Sequence, residues 1–226
     1  MSPEALLREG VERGLYTGGC LGLLHRDGRR TLACAGTLGD AAATPVGPDH
    51  RFDLASLTKG LATALCAARL VAEGELRWET PACALLPALK RGRHREITVE
   101  HLLAHTAGLP AWAPLYRTPP DSEAAAAAGG PPPAAWRPRL LAAVEAQELE
   151  ARPGERFRYS DLGYLLLGEI VARAATAPLA DCTAAWVAEP LGIGAELGFR
   201  PARPGAPGWE GCAATERCPW RRRRLQ

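Results

Sequence analysis

The sequence is poor in several residue types, and each scarcity narrows what the protein can be. Only two of its 27 basic residues are lysines, and only four of its 226 residues are serines. No run of 18 apolar residues occurs, so we expect no membrane span. The net charge of +2 gives no general attraction for nucleic acid. None of the seven cysteines belongs to a Cys-x-x-Cys pair, which favours reduced thiols in the cytoplasm.

The two ends of the sequence suggest neither targeting nor nucleic-acid binding. The first residues are charged and lack an apolar run and a cleavage site, so we expect no signal peptide and a cytoplasmic location. Four arginines at positions 221 to 224 are more typical of a solvated terminus than of a binding site. We predict one domain over residues 1–200, with a low-complexity insertion over 113–138, and an irregular tail rich in proline, glycine and arginine over 201–226.

The N-terminal part predicts one helix and one hairpin. Ser2 can cap a helix that ends near Gly14, with three residues facing inward: Leu6, Leu7 and Val11. Two strand-like runs over residues 20–26 and 29–36 are joined by Asp27-Gly28, which is a strong hairpin signal.

The remainder of the chain predicts mainly helices. One helix begins at or just before Ser56, ends at Gly74 and is buried nearly all round, because leucines stand among many alanines. A short helix capped by Thr98 lies within residues 97–110. Further helices are predicted over residues 140–151, 162–173 and 179–188.

Ser56 and Lys59 form the most informative pair in the sequence. At a spacing of i, i+3 their side chains share one helical face, so the amine can reach the hydroxyl. A desolvated lysine can act as the base that activates a serine nucleophile, and a helix start offers backbone N–H groups to an oxyanion. The alternative is an ordinary capping serine followed by a solvated lysine.

The composition favours the catalytic interpretation of this pair. The chain carries 25 arginines but lysine only at positions 59 and 90. Arginine cannot be deprotonated in a protein, so it could not serve as a base. A lysine beside one of only four serines is therefore evidence for a catalytic role of the pair.

Tyr159 and Asp161 form a second candidate group. A tyrosine near a helix start can shuttle protons when its phenol lies beside a cation. The alternative is that Tyr159 is an ordinary amphipathic aromatic residue and Asp161 only the N-cap of the next helix.

His101 and His105 invite comparison with a zinc site, because they stand at i, i+4. A zincin would require glutamate directly after the first histidine, where this sequence has Leu102. We therefore expect structural roles for both histidines and no metal.

Residues 51 to 192 resemble the serine β-lactamase-related family, which includes class C β-lactamases, low-molecular-weight penicillin-binding proteins and serine esterases. The shared text is Phe52-Asp-Leu-Ala-Ser-Leu-Thr-Lys59, Ile97-Thr-Val-Glu-His-Leu-Leu-Ala-His-Thr-Ala-Gly-Leu109, Phe157-Arg-Tyr-Ser-Asp-Leu-Gly-Tyr-Leu-Leu-Leu-Gly168 and Pro190-Leu-Gly192. The resemblance implies a β-lactamase/transpeptidase-like α+β fold, with an N-terminal helix, a β-hairpin and a helical region.

The same resemblance implies site roles for the singled-out residues. Ser56 corresponds to the acylated nucleophile, Lys59 to its base partner and Tyr159 to the shuttle that protonates the leaving group. Asp161 stands where many members carry asparagine, and its charge should hold the Lys59 amine protonated. The division of base work between Lys59 and Tyr159 is therefore open. No metal or organic cofactor is implied.

The family's third motif, Lys-Thr-Gly or His-x-Gly, does not occur after Asp161. In the family this motif lies on a sheet strand that supplies an oxyanion donor, so we expect the C-terminal sheet strands to be missing. The predicted function is hydrolysis of a small ester, amide or β-lactam through an acyl-Ser56 intermediate, impaired by truncation. The alternative is a non-catalytic remnant. The sequence leaves the oligomeric state open.

Overall fold

A computed structural model of the chain describes residues 2–115, 136–199, 211–214, 217–218 and 223–224. The residues group into two compact units, one of residues 1–54 with 200–226 and the other of residues 55–199. A helix and a β-hairpin lie in the first unit, and the second is helical in its described residues, as expected for an α+β chain.

The first unit begins with helix α1, Pro3–Glu12. Ser2 caps it as predicted, because its hydroxyl accepts a hydrogen bond from the third helical amide at 3.2 Å. Leu7 is buried, whereas Leu6 is 53% exposed, so the prediction that both face inward is wrong for Leu6. Adjacent helical residues point about 100° apart, and only one of the two can face the hairpin.

Strands β1, Gly18–Leu24, and β2, Arg30–Gly36, form the predicted hairpin. They pair antiparallel in one continuous register. At the turn, the Gly28 amide donates to the His25 carbonyl at 2.9 Å. Gly28 has a φ of 83°, which glycine adopts without the steric penalty of a Cβ atom. The Asp-Gly signal thus locates the turn, although the strands are shorter at the turn end than predicted.

Within the first unit, part of the C-terminal tail pairs with Arg51. The Arg51 amide donates to the Gly211 carbonyl at 3.0 Å, and the Ala213 amide donates to the Arg51 carbonyl at 2.8 Å. Strands β3, Arg217–Cys218, and β4, Arg223–Arg224, pair antiparallel. The described part of the tail is therefore not wholly irregular. The sequence did not indicate this pairing, because backbone hydrogen bonds between strands can form without an alternation of apolar residues.

The second unit consists of short helical segments. These are a π-helix, Lys59–Ala64, that continues as α2, Leu65–Ala72; α3, Val99–Leu103; α4, Trp136–Glu145; α5, Asp161–Ala174; and α6, Leu179–Thr183, which continues as a second π-helix, Ala184–Ala188. Three 3-10 turns lie between α2 and α3: Ala82–Ala84, Pro87–Leu89 and Gly92–Glu96.

Three of the predicted helices can be compared directly with these bounds. The helices predicted over 162–173 and 179–188 are confirmed, the first to within one residue at each end. The helix predicted over 140–151 is displaced, since α4 spans residues 136 to 145. Proline is tolerated in the first turn of a helix, so Pro138 can stand at the third residue of α4.

Helix α5 lies at the centre of the second unit. Leu162, Leu166, Leu167 and Ile170 are fully buried at the i, i+4, i+5, i+8 spacing of one helical face. They belong to one core with buried side chains from the other segments: Leu70, Leu86, Leu89, Ile97, Leu102, Leu109 and Val144. Burial of each large side chain contributes about 1.5–3 kcal/mol. This core holds the N-terminus of α5 in place.

The helical segment after Ser56 is buried on one face only. Ala62, Cys66 and Leu70 recur every four residues and are buried, whereas Leu61 and Leu65 are 42% and 46% exposed. The prediction of burial nearly all round is therefore wrong. Apolar composition does not by itself show which faces of a helix have neighbours.

The predicted insertion over 113–138 lies mostly outside the described residues. At its edges, Ala113 is buried in the core of the second unit, and α4 begins at residue 136.

Across the described ranges, no single helix is long and apolar enough to cross a membrane. Helix α5 and the segment Leu179–Ala188 meet that test only as a pair, and the pair is bent by 81°.

Gly108, in the segment that follows α3, has a backbone conformation and a close contact that favour glycine. Its φ is 78°, and a Cβ atom placed there would lie 2.2 Å from the Ala151 carbonyl oxygen. We expect Gly108→Ala to destabilise the chain by at least about 2 kcal/mol, because the added methyl group meets backbone and the conformation is strained. The measurement is the denaturant midpoint, followed by circular dichroism.

Gly194→Ala is the matched control for this substitution. A Cβ atom at Gly194 would come no closer than 4.0 Å to a neighbouring atom. We expect its stability to stay within about 0.5 kcal/mol of the parent chain. Equal stability of the two variants would contradict the close approach at Gly108.

Candidate active site

Ser56 lies in a turn immediately before the helical segment. The Thr58 amide donates to the Ala55 carbonyl at 3.1 Å, and the Lys59 amide donates to the Ser56 carbonyl at 3.0 Å. Ala55 has a φ of 44°, which costs a residue with a Cβ atom free energy and does not occur within a right-handed helix. The helix therefore begins after Ser56. The prediction that it begins at or just before Ser56 is wrong.

Lys59 connects Ser56 to Asp161. Its Nζ donates to the Ser56 Oγ at 3.0 Å and to the Asp161 Oδ1 at 2.6 Å. Burial lowers the pKa of Lys59, but hydrogen bonds to Asp161 and Tyr159 and the charges of both groups outweigh it, so the pKa lies above its ordinary value. Lys59 is therefore an ammonium at neutral pH.

Tyr159 completes the group around Ser56. The Lys59 Nζ lies 4.9 Å from the centroid of its ring. Hydrogen bonds with Ser56 and then Lys59 lower the pKa of Tyr159, and the positive charge of Lys59 acts in the same direction. Burial and the negative charge of Asp161 oppose the shift, but they are weaker. The phenol is thus more acidic than an ordinary tyrosine.

Asp161 is the first residue of α5 and not its cap. Ser160 is the N-cap, because its Oγ accepts from the Gly163 amide at 3.2 Å and donates to the Pro110 carbonyl at 2.6 Å. The alternative interpretation of Asp161 as the N-cap is therefore wrong. Its carboxylate contacts Lys59 while it stands in the first turn of a helix, where a negative charge is favourable.

His105 holds both neighbours of Tyr159, a role that the sequence analysis missed. Its carbonyl accepts from the Arg158 amide at 2.8 Å, and its Nδ1 accepts from the Ser160 amide at 3.1 Å. The His105 and Tyr159 ring centroids are 4.5 Å apart. Burial first, and then the charge of Lys59, lower the pKa of His105, which keeps Nδ1 available as an acceptor. The sequence signals for His105 were its i, i+4 spacing from His101 and its place in a motif shared with the family, and neither indicated contact with Tyr159.

Tyr164 lies against the same histidine. Its ring centroid is 4.8 Å from that of His105, and its hydroxyl donates to the Leu103 carbonyl at 3.1 Å. His105 therefore packs between two tyrosines of the segment that begins α5.

His101 has a different structural role from His105. Its Nδ1 accepts from the Thr98 amide at 3.2 Å, within the capping box at the start of α3. Among the described residues, no group of three or more histidine, cysteine, aspartate or glutamate side chains could hold a metal ion. Both histidines have structural contacts in the fold.

The arrangement brings together all four predicted site residues, although 102 residues separate Lys59 from Asp161. A serine hydroxyl, an ammonium and an acidified phenol lie close together around the Lys59 Nζ. Such a group can remove a proton from serine and stabilise the negative charge that follows.

Comparison with known proteins agrees with this chemistry. The model of the Beta-lactamase family matches residues 4–225. Esterase EstB of Burkholderia gladioli is 35% identical over 196 residues, which are 82% of this chain and 48% of EstB. The chain thus spans about half the length of this relative.

Solved structures show the same fold. The D-amino acid amidase of Ochrobactrum anthropi SV3 superposes with a TM-score of 0.69 at 22% identity, over 94% of this chain and 55% of the amidase. EstCE1, a hydrolase with promiscuous acyltransferase activity, superposes with a TM-score of 0.68 at 25% identity, over 93% of this chain and 54% of EstCE1.

These matches confirm the predicted fold class and the resemblance to serine hydrolases. The family match covers nearly the whole chain, and the two structural matches are independent of the residues chosen above. The chain belongs to the Beta-lactamase family.

Proposed function

We propose that Ser56 is a nucleophile that is acylated by a small ester, amide or β-lactam substrate. One observation carries the proposal: the Lys59 Nζ lies 3.0 Å from the Ser56 Oγ and 4.9 Å from the centroid of the Tyr159 ring. Relatives named as an esterase and an amidase support the choice of substrate class.

In this mechanism Tyr159 acts as the base and Lys59 as a fixed cation. Asp161 holds Lys59 protonated, so the amine has no free electron pair to accept the serine proton. The ionised Tyr159 oxygen takes the proton from the Ser56 hydroxyl as that oxygen attacks the carbonyl carbon. Tyr159 then gives the proton to the leaving group, and the acyl-Ser56 ester forms. Water, deprotonated by Tyr159, releases the acid.

The rate of turnover depends on oxyanion donors as well as on the base. Family members supply one donor from the strand that carries the third motif, and neither form of that motif follows Asp161 in the sequence. Loss of one oxyanion donor lowers the rate by about a hundred- to a thousand-fold. We therefore infer slow turnover for the 226-residue chain, acting without metal or organic cofactor. The alternative is a remnant without catalysis.

We also propose a cytoplasmic location, as the cysteine content and the charged N-terminal residues favour. The proposed partner is the small-molecule substrate, and neither nucleic acid nor a membrane is required.

The first test is covalent labelling of Ser56. We expect a fluorophosphonate probe to modify Ser56, because among the serines that the structure describes it alone has a lysine amine 3.0 Å away. Intact-mass and peptide analysis locates the adduct, and Ser56→Ala should abolish it. Ser160 is 3% exposed with its hydroxyl in hydrogen bonds, so it should stay unlabelled.

Hydrolysis of a nitrophenyl ester then separates the two candidate functions. Labelling with measurable hydrolysis supports the impaired hydrolase. Labelling without hydrolysis supports an acylation-competent remnant, and no labelling of the folded chain would overturn the proposal.

A second test distinguishes a cationic Lys59 from a basic one. Arginine keeps the positive charge but cannot be deprotonated. If Lys59 is a cation, Lys59→Arg should retain acylation within about a hundredfold, and Lys59→Met should lose more, because the pKa of Tyr159 returns towards its ordinary value. The rate of fluorophosphonate labelling is the measurement. Equal loss in both variants would assign the base role to Lys59.

A third test concerns the pH dependence set by Asp161. Its carboxylate raises the pKa of both Lys59 and Tyr159, so Asp161→Asn lowers both. The base is then free at lower pH, and the acidic limb of the labelling rate should move to lower pH. The alkaline limb should move in the same direction, because Lys59 loses its charge sooner.

Asp181→Asn removes the same charge at the start of α6 and serves as the control. We expect its pH profile to match that of the parent chain. An unchanged profile in Asp161→Asn would mean that the Lys59–Asp161 ion pair has no part in acylation.

A further inference from the structure

Two cysteines face each other across the hairpin, and neither has a part in the proposed function. Cys20 of β1 is the register partner of Cys34 of β2. Their Sγ atoms lie 2.8 Å apart, about 0.8 Å beyond the length of a disulfide bond. Both residues are recorded as free thiols.

The hydrogen-bonding pattern of the hairpin explains this approach. At the turn the His25 amide donates to the Arg29 carbonyl at 2.8 Å, which makes that pair hydrogen-bonded. Hydrogen-bonded and non-hydrogen-bonded pairs alternate along an antiparallel ladder, so Cys20 and Cys34 occupy a non-hydrogen-bonded pair. The Cα atoms of such a pair are about 4.5 Å apart, within the range that a disulfide spans.

We propose that Cys20 and Cys34 are a disulfide-forming pair whose co-substrate is a small-molecule disulfide such as oxidised glutathione. The thiolate of one cysteine attacks the small disulfide, forms a mixed disulfide and releases one small thiolate. The second cysteine displaces the other small thiolate and closes the cross-strand bond. Two cysteine thiols are oxidised, one small disulfide is reduced to two thiols, and these products take up the two cysteine protons.

The surroundings of the pair control the rate of this reaction. The Cys20 Sγ also contacts the Gly47 carbonyl at 3.6 Å. Burial first, and then the neighbouring Cys34, raise the pKa of Cys20 to about 12. Little Cys20 thiolate is present at neutral pH, so attack by Cys20 is slow there and becomes faster as the pH rises.

The bond would join the two strands of the hairpin covalently. In the described part of the chain β1 and β2 form a sheet of two strands, and an isolated sheet of this size is marginally stable. A link between the strands keeps the register of the hairpin when its backbone hydrogen bonds open.

Peptide mapping tests the proposal without reference to hydrolase activity. The full chain is reduced, freed of reductant, treated with oxidised glutathione and quenched with an alkylating agent. Trypsin releases Cys20 within residues 14–26 and Cys34 within residues 31–51. We expect these two peptides linked to each other and lighter by two hydrogen atoms than their sum. The rate of linkage should rise about tenfold per pH unit from neutral pH.

Two controls make the result specific. Cys83→Ser leaves the pair intact and should link at the parent rate, whereas Cys34→Ser should show no linked peptide and leave Cys20 free or glutathionylated. The same treatment in denaturant should give mixed pairings. Alkylation of both cysteines after oxidation of the folded chain, or equal linkage of Cys20 to other cysteines, would overturn the proposal.

Discussion

The ion pair between Lys59 and Asp161 is the interaction on which the candidate site depends. It joins the turn that carries Ser56 to the first turn of α5, and its two side chains are 16% and 45% exposed. The pair fixes the position of the ammonium and also its protonation, since the carboxylate raises the pKa of the amine. In the proposed mechanism this one contact determines both the geometry around the serine and the group that acts as base.

The fixed ammonium makes the surroundings of Tyr159 as important as those of Ser56. A phenol can accept the serine proton only while it is ionised, and the nearby cation favours that form. The ring must also stay beside Lys59. His105 provides this by binding the amides on both sides of Tyr159 and packing against its ring. The histidine contacts Tyr159 and acts as a positioning residue.

The residues predicted for the site lie together in the structure, whereas the bounds or burial of several predicted helices differ from those observed. Ser56 and Lys59 were found from their spacing and residue types, whereas Tyr159 and Asp161 gained their roles from the family resemblance. The structure brings the four residues together. The predicted bounds of α4 were wrong, because its first turn accommodates Pro138. The predicted burial of the helix after Ser56 was wrong for another reason, since composition does not show which side of a helix has neighbours.

The same limit explains why the capping role of Ser160 and the positioning role of His105 were missed. The His105 Nδ1 accepts a hydrogen bond from the Ser160 amide, which is 55 residues away in the sequence. The Ser160 hydroxyl donates to the Pro110 carbonyl, which is 50 residues away in the sequence. Contacts of this kind depend on tertiary structure and leave no periodic signal in the chain.

Acylation and turnover place different demands on this fold. The groups that activate Ser56 lie within the unit of residues 55–199, whose core closes around α5. Stabilisation of the oxyanion is a separate requirement, and family members meet part of it from a strand whose motif is not found after Asp161. The base and the oxyanion donors act on the same transition state from different parts of the protein, so activation of the serine and stabilisation of the oxyanion can be tested separately.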